Sequence, residues 1–177
     1  MSSDPRHLRD WISALYATLE QSEPHNAEAI RKLAGSQISR MVLDDDRVTV
    51  RFVDGVLHVR RMRAGTGQLK SPNGSTDRET VTALLLGYME ISEAISHDHI
   101  RLRGTAEEVM AICAIIEVLV DASTRVPALQ QLADTFLRTV GQGTARAGRR
   151  ARALHARALV AKERGFLTRE GLLRRVL

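Results

Sequence analysis

Few residues in the chain have types and spacings that could do chemistry, and each set is incomplete. His97-Asp98-His99 places two imidazoles around a carboxylate. Histidines two apart hold zinc only when a third and a fourth ligand converge, and the neighbouring sequence supplies neither. The segment reads as a solvated helix-to-strand turn. Cys113, the single cysteine, lies among Ile and Ala in the run VMAICAIIEVLV at 109–120. A reactive thiolate needs an electropositive, partly exposed setting, so Cys113 reads as a buried, inert thiol. One cysteine also excludes an internal disulfide and a cysteine-built metal centre. Glu117 interrupts the same run; a carboxylate buried alone is costly, so it is expected to reach the surface or pair with an arginine. Gly65-x-Gly67 lacks the third glycine and the strand-to-helix setting of a dinucleotide site. There is no Ser–His–Asp order, no paired-carboxylate arrangement and no Walker-type loop. The expectation is a protein without catalytic residues, cofactor or metal.

Charge divides the chain in two. From Gly141 onward ten basic residues, among them Arg149, Arg150 and Arg157, face two acidic ones, a balance of +8. Residues 1–140 carry 16 basic and 19 acidic residues, a balance of −3. The basic character thus belongs to a tail, which differs from a uniformly basic nucleic-acid binder. The apolar run at 109–120 is too short to span a bilayer. The opening MSSDPRHLRD is polar, so the sequence reads as a soluble, cytoplasmic protein.

The elements that must position these residues follow from periodicity. Leu8, Trp11, Ile12, Leu15, Tyr16 and Leu19 make one stripe on a helix over 5–20. Asn26 can cap a second helix that holds Ala27, Ile30, Leu33 and Ala34 and stops at Gly35. A strand is expected at 37–43, with Asp44-Asp45-Asp46 as its turn. RVTVRFV (47–53) and VLHVRRMR (56–63) flank Asp54-Gly55, the preferred pair for a type I′ hairpin. That turn pairs Phe52 with Leu57, Val50 with Val59 and Val48 with Arg61 on one face. Arg51 with His58 and Thr49 with Arg60 fall on the other, with Arg40 or Arg47 beside them. Residues 64–75 read as a loop with a short strand around 68–70. Thr76-Asp77-Arg78-Glu79 reads as a capping box opening a helix through Leu86, closed by Gly87, with Val81, Leu84 and Leu85 inward. A short helix near 91–95, a strand at 99–103 and a second capping box, Thr105 to Glu108, lead into the most apolar helix, 106 to about 123. Pro127 opens another helix with Leu129, Leu132, Ala133, Phe136 and Val140 inward. The tail holds an Ala/Arg-rich helix over 145–164 and a final one with Leu172, Leu173, Val176 and Leu177 on one side.

This order, with Thr76, Asp77, Leu84, Leu85, Leu86, Gly87, Ile91, Ala94, Ile95, Ile100, Leu102 and Gly104 at its marked positions, resembles the sterol carrier protein type 2 family of lipid-binding domains over residues 27–140. The resemblance implies an α+β fold, a sterol-carrier-like antiparallel sheet covered by helices on one face. An N-terminal helix and a basic C-terminal helical tail (141–177) are added to a domain over 1–140. It also implies an apolar cavity that accepts sterols, fatty acids or acyl chains. The expected function is non-catalytic binding or carriage of a lipid or other hydrophobic small molecule. The expected lining is Leu84, Leu85, Ile112, Ile116, Leu119, Phe52 and Phe136, with the helix from Pro127 as a cover.

Two other readings stay open. Aromatic residues are only 3% of the chain, which is lean for a large lipid cavity and fits an assembly module with a filled one. Such a module would use Arg149, Arg150, Arg157, Leu172, Leu173 and Val176 to self-associate or to dock on a partner protein. A nucleic-acid role for the tail ranks third, because the tail has no DNA-reading motif.

Overall fold

The computed structural model describes residues 5–62 and 73–139. Two helices lead the chain, α1 (Leu8–Ser22) and α2 (Pro24–Ala34). Three strands follow, β1 (Ser39–Leu43), β2 (Asp46–Val53) and β3 (Val56–Arg61). Next come β4 (Gly74–Thr76), α3 (Arg78–Leu85), α4 (Ile91–Ser96) and β5 (Arg101–Leu102). The chain then enters α5 (Ala106–Arg125) and α6, helical over 127–139. The class is α+β, as expected. The five strands form one sheet in the order β3-β2-β1-β4-β5.

Local chemistry explains the hairpin. Asp54 and Gly55 both take positive φ, +51° and +79°, the geometry of a type I′ turn, and glycine adopts it without a Cβ penalty. The pairing sets Phe52 opposite Leu57, Val50 opposite Val59 and Val48 opposite Arg61, the register that separates apolar from polar residues. The expected antiparallel sheet needs one correction. β1 pairs antiparallel with β2, and β4 with β5, but β1 and β4 run parallel, so the sheet is mixed. β4 lies beside β1, with β1 and β2 between it and β3, its predecessor in the chain. β4 itself occupies Gly74–Thr76, where a loop was expected. The expected strand at 68–70 lies outside the described residues.

Several helix ends also shift. Glu23, not Asn26, is the N-cap of α2, with Pro24 in its first turn; the amide of Asn26 donates to the Glu23 carboxylate. Asp77, not Thr76, caps α3, accepting from the Thr80 amide at 2.6 Å. Thr76 is the last residue of β4, so its backbone belongs to the ladder and not to the helix start. The capping box of α5 forms as expected, with Thr105 and Glu108 bonding each other's amides at 3.2 and 2.8 Å. A Cβ at Gly104 would collide with the Glu108 carboxylate, which is why a glycine precedes this cap. The strand expected at 99–103 is reduced to Arg101–Leu102.

The core lies between the helices and the β2–β3 half of the sheet. Tyr16, Leu19, Ala27, Ile30, Ala122, Val126 and Leu129 form its buried centre, with Phe52 and Leu57 of the sheet packed against it. The Tyr16 and Phe52 rings meet edge-on at 5.2 Å. Burial pushes the Tyr16 phenol above its ordinary pKa. Trp11 meets Phe136 edge-on at 5.1 Å, which seats α6 on α1. At the outer end of β2, the carboxylate of Asp46 is buried, accepts from the Leu8 amide at 2.7 Å and pairs with Arg61 at 3.3 Å. It thereby satisfies an N-terminal amide of α1 and fixes that helix to the sheet. At the other end of α1, Glu23 takes a two-pronged bond from Arg125, at 2.8 and 3.1 Å. Asp121 also contacts Arg125 at 2.6 Å, and the two carboxylates, Asp121 first, push the guanidinium pKa still higher.

Candidate functional site

The most apolar helix, α5, is only partly enclosed. Before Ala122, α5 contains no buried residue. At about 100° per residue its surface divides into three faces. Ile115, Val118, Leu119 and Ala122 share one face, which packs on the core formed with α1 and α2. Glu107, Met110, Glu117 and Asp121 share a second, solvent-exposed face, on which Met110 is 69% exposed. Between them runs a third, wholly apolar face of Val109, Ile112, Cys113, Ile116 and Val120. Its first four residues are half-buried and Val120 is 44% exposed. None of the five belongs to the residues packed on the core.

The apolar face of the sheet is similarly covered on one side only. α1 and α2 pack on β2 and β3. Val48 is fully buried, yet Met41, its partner on β1 and on the same face, remains 38% exposed. The hydroxyls of Thr76 and Thr82, at the end of β4 and in α3, are buried with no hydrogen-bond partner among the described residues, an uncommon state for buried polar atoms.

The expected lining residues are divided among these places. Ile112 and Ile116 lie on the open strip of α5, whereas Leu119 belongs to the packed face. Phe52 is half-buried against Tyr16, and Phe136 is buried against Trp11. Leu84 is half-buried on α3, while Leu85, expected inward, is 43% exposed because Thr80, Thr82 and Ala83 form the buried side of that helix. Val109, Cys113 and Val120 complete the strip and were not singled out as lining. The 3.6-residue period places them there, but an all-apolar run hides which of its sides is packed. Cys113 is half-buried, not buried, for the same reason. Glu117 reaches the surface, as expected.

The other candidates stay outside any site. His97, Asp98 and His99 are exposed at a turn where Asp98 takes φ +60°. Among the described residues no cluster could hold a metal ion, and no helix is long and apolar enough to cross a membrane. An open depression of about 690 Å³ against α6 is lined by Gln131, Asp134, Thr135, Leu137 and Arg138; four of these five are polar, unlike a site for an apolar ligand. Val140 and the tail residues Arg149, Arg150, Arg157, Leu172, Leu173 and Val176 lie outside the described residues. No family model, curated protein or solved structure matches the chain.

Proposed function

We propose that the protein binds a lipid or another hydrophobic small molecule, without catalysis, against the open apolar strip of α5. One observation carries this reading: Val109, Ile112, Cys113, Ile116 and Val120 form a continuous apolar face that the core does not use. Apolar surface left in water costs about 25 cal/mol per Å² relative to burial, so a ligand or partner that covers it gains that amount before ordering costs. Met41, 38% exposed on the packed face of the sheet, is a further stretch of uncovered apolar surface. The resemblance to the sterol carrier protein type 2 family supports the same reading.

A second reading has its own observation. Met110 borders the strip and is 69% exposed, which favours an assembly module whose α5 packs on another protein surface. Native mass spectrometry of the purified full chain, followed by solvent extraction, separates the two. The ligand reading predicts a small apolar molecule near one per chain, released on extraction. A ligand-free dimer would overturn it in favour of assembly.

A further inference from the structure

The sheet face turned away from α1 and α2 carries an unusual set of side chains. Strand alternation and the observed register place Arg47, Thr49, Arg51 and Val53 of β2 on it. With them lie Arg40 and Val42 of β1, Val56, His58 and Arg60 of β3, Ser75 of β4 and Arg101 of β5. Five are arginines and none is acidic. Among the described residues none of these arginines forms an ion pair, and four of them, all but the half-buried Arg40, are exposed. Arg61, one residue along β3, points to the opposite face, where Asp46 neutralises it. The charge is therefore segregated by the pleat: among the described residues, the arginine on the packed face has a carboxylate, and the five on the other face have none.

The layout limits what can neutralise them. Arg60 and Arg40 flank Thr49 in one row across three strands, so their origins lie about 10 Å apart. Arg47 and Arg101 end another row, Arg47–Val42–Ser75–Arg101, about 14 Å across. The result is a broad array of guanidinium groups spread over four strands. It includes no Phe, Tyr or Trp on which bases could stack. At one end Val53 and Val56 pair across the hairpin, and Val56 is 59% exposed. Guanidinium groups recognise phosphate oxygens in pairs, and an exposed apolar rim suits an interface where headgroups meet acyl chains.

We infer that this sheet face docks on an anionic lipid surface, with the five arginines contacting headgroup phosphates and the Val53–Val56 end nearest the bilayer. The inference stands on the sheet alone and does not require that α5 bind a ligand. It is tested by sedimenting the full chain with vesicles of phosphatidylcholine containing about one third phosphatidylglycerol, and with phosphatidylcholine alone. The variant R51Q/R60Q/R101Q, checked by circular dichroism, is compared with the tail variant R149Q/R150Q/R157Q. Each surface arginine is worth about fivefold in binding, so the sheet variant is expected to bind anionic vesicles roughly a hundredfold more weakly. Neutral vesicles are expected to bind neither chain. A sheet variant that binds like the unaltered chain overturns the inference, as does loss confined to the tail variant. So does retention of single-stranded RNA or duplex DNA in place of the vesicles. The sheet variant should keep any apolar molecule found by mass spectrometry, so failure of either reading is separable from the other.

Discussion

Asp46 shows how one side chain can join two elements. The triplet Asp44-Asp45-Asp46 reads as a turn, and its first two residues serve that role, with Asp44 at φ +51° and paired with Arg78 at 2.6 Å. Asp46 instead points to the packed face, where it bonds the first amide of α1 and pairs with Arg61. Hydrogen bonds to charged groups contribute about 1.5–3 kcal/mol. Asp46→Ala is therefore expected to lower stability by about 2 kcal/mol in urea unfolding, and Asp46→Asn by less, since it keeps an acceptor. Equal losses from the two would show that the charge, not the cap, matters. The hairpin register puts Arg61 on the apolar face; its partner was illegible because Asp46, at the start of the neighbouring strand, reads as a turn residue, and its second contact, Leu8, lies 38 positions earlier in the chain.

At the scale of elements, legibility followed the range of the governing interactions. The hairpin register is fixed by two turn residues and by alternation, and both are written locally, so it could be read in full. The capping box of α5 likewise needs only Thr105 and Glu108. The parallel β1–β4 pairing depends on where a crossover returns, which no local pattern encodes. The α3 start was misread by one residue because Thr76 and Asp77 are both good caps, and the sheet claims Thr76. This assignment has a direct consequence. Asp77→Ala is expected to lower stability by about 1 kcal/mol, whereas Thr76→Val, which removes a hydroxyl that bonds nothing among the described residues, leaves it unchanged or slightly higher. A larger loss from the Thr76 variant, measured by chemical unfolding, would return the cap to Thr76.

For the molecule as a whole, the arrangement is a sheet whose two faces differ in charge and a long helix that, among the described residues, packs on the core through one of its own faces. α1 and α2 close the β2–β3 half of the sheet, and Leu19 and Val48 are fully buried there. α5 joins this core through Ile115, Val118, Leu119 and Ala122 and leaves its neighbouring strip open. The candidate site was legible in part: Ile112 and Ile116 came from the apolar run itself, but the run could not say which side the core would take. Binding of an environment-sensitive apolar dye, displaced by a long-chain fatty acid, bears on the α5 strip without intermediates when I112N/I116N is compared with Met110→Asn on the adjoining exposed face. I112N/I116N is expected to weaken binding at least about tenfold, a loss of about 1.4 kcal/mol, while Met110→Asn leaves it unchanged. Equal binding by all three folded chains, or loss only with Met110→Asn, would contradict a ligand site on the α5 strip.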